Sequence, residues 1–233
     1  MAIKRKTSQK KLYIAIILLA ILIAATAAVV INAMQPTPVN VKVGVHVGDS
    51  FTYNIVGTSV LTDLNAVESP GFSQYNQTDY FKITITGINN ATSVSFDTVW
   101  RFKNGTEIPG KQTIDLANGN KTDSNGFWAI YASNLNVGNL LRPTGFDGLT
   151  VNATDTQTFA DSTRTRNFWW IENQFYDVND PTHNTLRDDY TGVYFDKQTG
   201  MLTSLNSITN YNNPLKTEAI TWKLVDSTVW KVQ

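Results

Sequence analysis

The sequence contains no cysteine and only two histidines among its 233 residues. Because no disulfide can form, the folded chain depends on burial of apolar surface for its stability. The same absence rules out a lipid anchor attached to cysteine. Zinc and copper sites need several histidine or cysteine ligands, so His46 and His183 are too few for a typical transition-metal site.

Sequence signatures of common enzymes are also missing. The chain has no serine-hydrolase elbow of the form G-x-S-x-G, no H-E-x-x-H zinc motif and no glycine-rich loop for phosphate. Catalysis by a pair of carboxylates needs no such motif, because two acids brought together by the fold are enough. An extracellular hydrolase that uses acids within residues 177–189 is therefore the alternative to a binding role.

Acidic residues are absent before Asp49. Within that stretch, residues 12–34 (LYIAIILLAILIAATAAVVINAM) carry no charge and are about as long as a helix that crosses a bilayer. The preceding residues 1–11 contain five lysines and arginines, and the positive-inside bias places such a flank in the cytoplasm. The sequence therefore predicts a single-pass membrane anchor, with the lipid bilayer as a partner, a cytoplasmic N-terminus and an extracytoplasmic C-terminal part.

A cleaved secretory signal is the competing interpretation of residues 12–34, since Ala25-Thr26-Ala27 or Ile31-Asn32-Ala33 could serve a signal peptidase. The apolar run is longer than the roughly 7 to 15 residues of a typical signal core, which favours a retained anchor. Residues 35–40 (QPTPVN) are then a short, stiff spacer. Residues 41–233 are the extracytoplasmic domain.

Clustered positive charge is missing from the part beyond the basic flank. It holds 14 lysines and arginines against 19 aspartates and glutamates, a net charge near −5. Nucleic acids and anionic lipid surfaces are bound by clusters of lysine and arginine. We therefore expect no nucleic-acid partner, whereas a lipid, a glycan or an envelope protein are open possibilities.

Apolar and polar residues alternate with period two through much of residues 41–233, which is the pattern of strands with one buried face. Short turns between these segments favour antiparallel pairing. The predicted fold is mainly β, an antiparallel sandwich or curved half-barrel with one short helix. Strands are expected at 41–47, 50–55, 80–86, 94–102, 111–116, 149–153, 163–171, 193–195, 202–208 and 220–224.

The one helix is predicted within residues 127–141, where apolar residues recur at helical intervals and Ser124 or Asn125 could cap the first turn. Gly138 limits its length to about ten residues. Residues 58–78 and 177–189 are polar and weakly patterned, so both are expected to be loops.

Two motifs resemble those of a loose group of archaeal membrane-anchored surface proteins whose function is unassigned. One is V-G-D-x-F-x-Y in residues 41–55 (VKVGVHVGDSFTYNI), and the other is Y-x-D-x-x-T-G-x-L in residues 194–202 (YFDKQTGML); residues 126–140 (GFWAIYASNLNVGNL) add to the similarity. The resemblance implies an extracytoplasmic compartment and a β-sheet topology, and it brings no catalytic residues. A fainter similarity to periplasmic lipid-carrier half-barrels, in which a curved antiparallel sheet wraps a helix, concerns the fold alone.

Oxygen-rich side chains cluster in the predicted loop 177–189 and could supply hard ligands to Ca²⁺. Their spacing differs from the D-x-[DN]-x-[DN]-G calcium loop, and an Asp-Pro pair flanked by Asn is also typical of a solvated turn. Calcium is thus a weak candidate cofactor. The residues concerned are Asp177, Asn179, Asp180, Asp188 and Asp189.

Tryptophans are the other candidate site. A sheet that curls around a short helix could leave an apolar pocket for a lipid or glycan, because pockets in barrel mouths are lined by such rings. The same rings could simply fill the core of a domain without cysteine. The candidate lining is Trp100, Trp128, Trp169, Trp170 and Trp222, with Tyr53 and Phe168 nearby. The function predicted from the sequence is a non-enzymatic binding or envelope module.

Overall fold

A computed structural model describes residues 40–122, 128–178, 180, 182 and 184–233. The predicted anchor at 12–34, its basic flank and nearly all of the spacer lie outside the described residues, as do Ser124 and Asn125. In the part of the chain that is described, no helix is long and apolar enough to cross a membrane.

The described residues form one antiparallel sheet of nine strands, which confirms the prediction of a mainly β fold. Its order is β4-β3-β2-β1-β9-β8-β7-β6-β5, so every neighbouring pair except β1 and β9 is consecutive in sequence. The strands are β1 (Ser50–Leu61), β2 (Thr78–Ile88), β3 (Ser93–Phe102), β4 (Glu107–Asp115), β5 (Ala153–Thr158), β6 (Thr163–Tyr176), β7 (Leu186–Asp196), β8 (Leu202–Asn212) and β9 (Leu215–Ser227), and a one-turn helix α1 (Ser73–Asn76) lies between β1 and β2.

The pairing of β1 with β9 brings together the first and the last strand in the sequence. It runs from Phe51 opposite Ser227 to Leu61 opposite Lys216. Short connections dictate the other pairs, because antiparallel neighbours need only a few linking residues. The first and last strands of the chain thus lie at the centre of the sheet, and its outermost strands are β4 and β5.

The predicted strand at 41–47 is wrong. Residues 41–46 are irregular, although Val45 is buried and Lys42 accepts a backbone hydrogen bond from Ser133. A strand needs a neighbour's ladder as well as an apolar face, and both sides of β1 are already taken by β2 and β9. Val41, Val43 and Val45 are therefore at least partly buried without pairing in a sheet, whereas Val47 is exposed.

The helix predicted within 127–141 is also wrong over residues 128–141. The backbone there is irregular and includes left-handed conformations at Asn134 and Gly138. Its amides bond to other segments: Tyr131 N–H donates to the Gly200 carbonyl oxygen (2.9 Å) and Asn134 N–H donates to that of Lys197 (2.6 Å). These bonds replace the i→i−4 bonds of a helix.

Several predicted boundaries also shift. The expected loop 58–78 is shorter, because β1 continues to Leu61 and α1 occupies part of the rest. The expected loop 177–189 ends earlier, because β7 begins at Leu186 and so contains Asp188 and Asp189.

The main core lies on one face of the sheet. Alternate residues of the central strands, such as Tyr53, Ile83 and Phe195, are fully inaccessible there. Burying an aliphatic or aromatic side chain of this kind contributes about 1.5–3 kcal/mol. Parts of the 116–152 connection pack over the same face through buried side chains that include Ile130, Leu135, Leu141 and Val151.

Candidate ligand-binding cavity

A cavity of about 760 Å³ lies against the core-facing side of the sheet. Side chains from β2, β3, β4, β6, β7, β8 and β9 line it, together with the 62–77 and 116–152 connections. Because side chains alternate between the two faces of a strand, the lining positions of most strands are two residues apart, as in the pairs Phe81/Ile83, Trp169/Ile171 and Leu205/Ser207. The edge strand β4 differs, because consecutive residues 108–112 border the cavity.

Aromatic rings dominate the lining. Phe81 lies between two tryptophans, with ring centroids 4.9 Å from Trp222 and 6.5 Å from Trp100. Trp100 also stacks on Tyr75 of helix α1 at 6.1 Å and donates its indole N–H to the Thr78 hydroxyl (2.9 Å). The full aromatic set is Tyr75, Phe81, Phe96, Trp100, Trp128, Tyr131, Trp169 and Trp222.

The 62–77 connection is attached to the sheet by a buried ion pair. The Lys216 ammonium group donates to Glu218 Oε1 (3.1 Å), the Val67 carbonyl oxygen (2.9 Å) and Ser69 Oγ (2.9 Å), which uses its three protons. Glu218 Oε1 also accepts the Ser69 N–H at 2.6 Å. Since Lys216 and Glu218 are on the same face of β9 as Ile220 and Trp222, this pair fixes the connection on the cavity side of the sheet.

The Y-x-D-x-x-T-G-x-L motif holds the hairpin turn between β7 and β8. Asp196 is fully buried, and its Oδ1 accepts bonds from the Thr199 N–H and hydroxyl, both at 2.8 Å. Arg164 donates to the same carboxylate through two nitrogens, at 2.7 and 2.9 Å. This two-pronged geometry is the strong form of the ion pair and makes the buried charge tolerable.

The same turn carries the segment that holds Trp128 and Tyr131. Gly200 has φ +76°, and a Cβ there would lie 2.0 Å from the Tyr131 carbonyl oxygen. The absence of that atom lets Gly200 accept the Tyr131 N–H, while Leu202 N–H donates to the Ala129 carbonyl oxygen (2.9 Å). The motif is therefore structural, and it positions one wall of the cavity.

A small polar cluster interrupts the apolar lining. Arg142 is buried, donates its Nε–H to Asp147 Oδ2 at 2.7 Å, and stacks its guanidinium 4.2 Å from the centre of the Trp128 ring. Burial raises the pKa of Tyr131 to about 12, although the positive charge of Arg142 and the Trp169 indole act in the opposite direction. The Tyr131 hydroxyl group is therefore neutral at ordinary pH.

Four of the five predicted tryptophans line this cavity: Trp100, Trp128, Trp169 and Trp222. Trp170 does not, because it follows Trp169 in β6 and points to the opposite face, where it is 44% exposed and stacks on Tyr190. Phe168 is on that opposite face as well and packs on Tyr194. Tyr53 is buried in the core beside Trp222.

The acidic residues predicted for calcium or hydrolysis do not meet at one point. Asp188 and Asp189 are neighbours in β7, so their side chains lie on opposite faces of the sheet. Asp189 pairs with Arg187 at 2.7 Å. Asp180 accepts hydrogen bonds from the backbone and hydroxyl groups of Thr182 and Thr185, which hold the pKa of its carboxyl group well below the usual range.

Asn179 lies outside the described residues, and Asp177 accepts the Asp180 N–H through its backbone oxygen at 3.1 Å. Among the residues that are described, no group of three or more His, Cys, Asp or Glu side chains is placed to hold a metal ion. The Asp180 carboxylate instead accepts hydrogen bonds from residues of its own turn and stabilises that turn.

Sequence reasoning missed the polar cluster of Gln112, Tyr131, Arg142 and Asp147. The sequence around Arg142 (RPTG) indicates only a break in regular structure. No local pattern in the sequence indicates that the Arg142 guanidinium group is buried. The distance of these residues from one another in the sequence gave no indication that they share a cavity.

No known family pattern matches this chain, and no characterised protein matches it significantly in sequence. The resemblance to archaeal surface proteins is therefore an expectation that depends on the three sequence segments 41–55, 126–140 and 194–202 alone. The cavity is the structural feature that indicates a function.

Proposed function

We propose that this protein is a non-enzymatic binding module that takes one lipid-like, largely apolar molecule into the cavity on the inner face of its sheet. The observation that carries the proposal is the cavity of about 760 Å³ with its lining of eight aromatic rings. Small-molecule sites are concave, mostly apolar and about 300–1,000 Å³ in volume. A filled core of the same composition would leave no such space.

The proposed architecture is a curved half-barrel. Strands β4 and β6 both line the cavity, although seven strand spacings separate them in the sheet. In a flat sheet that separation would be roughly 34 Å, whereas a compact cavity of this volume is only about 11 Å across. A sheet that bends around the cavity brings the two strands to its opposite sides.

The proposed location is the outer face of a membrane, with residues 12–34 as a retained single-pass anchor. The uncharged run and its basic flank support this proposal. A tether of this kind would keep the cavity close to a bilayer, which is a source of apolar chains. Protease accessibility tests the orientation: the C-terminal part should be digested in intact cells, and protection there with digestion in inverted vesicles would contradict it.

Tryptophan quenching by a brominated alcohol tests the binding function. All six tryptophans of the chain follow residue 99, so none belongs to the predicted anchor, and four of them line the cavity. We expect 12-bromododecan-1-ol to quench the full-length protein saturably in a nonionic detergent, because a bromine atom in the cavity would contact several indoles.

Two adjacent residues of β8 provide a matched pair of variants. Ser207 lines the cavity, whereas Asn206 is exposed on the other face. We expect Ser207→Phe to weaken quenching by the alcohol about tenfold through loss of space, and Asn206→Phe to leave it unchanged. Absence of saturable quenching, or an equal effect of the two variants, would contradict the proposed function.

A further inference from the structure

Several buried hydrogen-bond donors are left without regular partners beside the apolar cavity, and two of them belong to Arg142 and Trp169. Within the described part of the chain, Nη1 of Arg142 is buried and makes no hydrogen bond. Nε1 of Trp169 is also buried and lies near the Tyr131 hydroxyl group, but without a hydrogen bond of normal geometry to it. Both residues line the cavity, and they are only 4% and 5% exposed. A buried polar group without a partner is destabilising and rare in folded proteins, so these two donors require an explanation.

The chemistry of the two groups restricts what could satisfy them. A guanidinium and an indole N–H donate hydrogen bonds and cannot accept them. The side-chain amide of Gln112, which also lines the cavity, has a buried nitrogen without a partner. An incoming group that satisfies this set must therefore offer acceptor oxygens.

The unpartnered donors favour an anionic acceptor, because one of them belongs to a guanidinium group. The charged side chains inside the lining are Arg142 and Asp147. The Lys111 side chain is 86% exposed and lies 3.9 Å from Asp97, on the opposite face of β4. Asp147 is engaged on both oxygens, because Oδ2 accepts from Arg142 Nε at 2.7 Å and Oδ1 accepts from the Leu149 N–H at 3.1 Å. Nη1 of the guanidinium is thus available for a second oxyanion.

Arg142 is also held in place before any ligand arrives. Its guanidinium stacks on Trp128, and its stem runs past two glycines. A Cβ at Gly119 would lie 2.3 Å from Arg142 Cδ, and one at Gly145 would lie 2.9 Å from Arg142 Cβ. The chain therefore makes room for this one side chain, and a donor fixed in advance binds with a smaller loss of conformational freedom.

From these observations we propose that the ligand is a single-chain amphiphile with an oxyanion head, either a carboxylate or a phosphate, which accepts hydrogen bonds from Arg142 and Trp169 while its chain occupies the aromatic cavity. This inference rests on the proposed function and specifies the class of ligand. The head is bound by Arg142 as the charged partner and by Trp169 as a neutral donor.

Three brominated probes of equal chain length test the inference on the full-length protein in a nonionic detergent: 12-bromododecanoate, 12-bromododecyl phosphate and 12-bromododecan-1-ol. We expect at least one of the two anions to bind about tenfold or more tightly than the alcohol, since hydrogen bonds to charged groups are the strong ones. The tighter anion identifies the head group. The ratio of the anion affinity to the alcohol affinity is the quantity to compare between variants. Detergent takes up each probe to the same extent with every variant, so its effect cancels in that comparison.

Arg142→Gln should lower this ratio about tenfold or more and leave the alcohol affinity nearly unchanged. Lys111→Gln is the matched control, because it removes one positive charge from the neighbouring strand β4 at an exposed position outside the cavity. Trp169→Phe keeps the ring and removes the N–H, so it should lower the ratio about two- to tenfold, and it provides a second test if Arg142→Gln fails to fold.

The outcomes separate the two proposals. If the alcohol binds as tightly as both anions, or if Lys111→Gln lowers the ratio as much as Arg142→Gln, the head-group inference is wrong while the binding function stands. If neither the alcohol nor the anions quench saturably, the binding function fails and the inference fails with it.

Discussion

The hydroxyl group of Tyr53 donates a hydrogen bond to the carbonyl oxygen of Leu202 at a distance of 2.9 Å. Tyr53 ends the V-G-D-x-F-x-Y motif in β1, and Leu202 ends the Y-x-D-x-x-T-G-x-L motif at the start of β8. The two strands are not neighbours, because β9 lies between them. The bond therefore joins the two motifs across the core, and burial raises the pKa of the Tyr53 hydroxyl group well above its ordinary value.

Removing this bond should destabilise the domain. Tyr53→Phe keeps the ring but leaves a buried carbonyl group without this donor, so we expect the free energy of unfolding to fall by about 1–3 kcal/mol. Urea denaturation followed by tryptophan fluorescence measures it. Tyr190→Phe on the opposite, partly exposed face is the control, with an expected change within about 0.5 kcal/mol. Equal effects of the two substitutions would contradict the role given to the Tyr53 bond.

Two glycines have a left-handed backbone, but only one of them also lacks space for a Cβ atom. Comparing them separates the cost of a steric clash from the cost of the backbone conformation. Gly200 (φ +76°) lies against the Tyr131 carbonyl oxygen, whereas a Cβ at Gly148 (φ +64°) would meet nothing within 4 Å. Gly148→Ala should cost only about 1–2 kcal/mol, the strain of a left-handed alanine. Gly200→Ala should cost clearly more and should also weaken binding of the brominated alcohol, since it displaces the segment of Tyr131. Equal losses of unfolding free energy would show that the clash is relieved cheaply.

The buried pair that attaches the 62–77 connection should be intolerant of single substitutions. Lys216→Met leaves the Glu218 carboxylate buried without its cation, at an expected cost of about 3–5 kcal/mol. The double variant Lys216→Met with Glu218→Leu should recover much of that loss, because no unpaired charge is then buried. Arg101→Met breaks an exposed pair with Glu107 and should leave the free energy of unfolding nearly unchanged, because exposed ion pairs contribute little. A double variant no more stable than Lys216→Met would refute this explanation.

Stability at alkaline pH should depend on Tyr131. Its pKa is about 12 in the folded protein and about 10 in an unfolded chain, so folding favours the neutral hydroxyl group. Its contribution is complete below about pH 10 and is lost as the pH rises toward 12. The unfolding free energy of the wild type minus that of Tyr131→Phe should therefore fall by about 1 kcal/mol between pH 8 and pH 11. A constant difference over that interval would mean that the hydroxyl group titrates normally.

The strands could largely be located from the sequence, because alternation between apolar and polar residues is a local property. The segments around Phe51, Phe81 and Trp222 follow that pattern, and all three are in strands. The same pattern failed at residues 41–47, where the valines are alternately placed but no strand edge is open to them. The helix prediction at 127–141 failed for a related reason: the backbone amides of Tyr131 and Asn134 have partners elsewhere in the chain.

The site could be predicted only as a set of residue types. Four tryptophans chosen for their chemistry do line the cavity. Trp170 does not, because it is next to Trp169 in β6 and its side chain therefore points to the other face of the sheet. The orphaned donors of Arg142 and Trp169 were out of reach, because each lacks a partner only as a result of where the rest of the chain lies.

The sequence by itself thus determined a chain without disulfides, an antiparallel sheet and an aromatic-rich apolar face, since composition and alternation act over a few residues at a time. Tertiary structure alone decided that a cavity remains against this face. Residues in seven strands approach one another there through contacts far apart in the sequence, and the Lys216 and Asp196 ion pairs hold the two covering connections in position. Whether apolar side chains fill a core or leave a cavity depends on those distances, which no local pattern encodes.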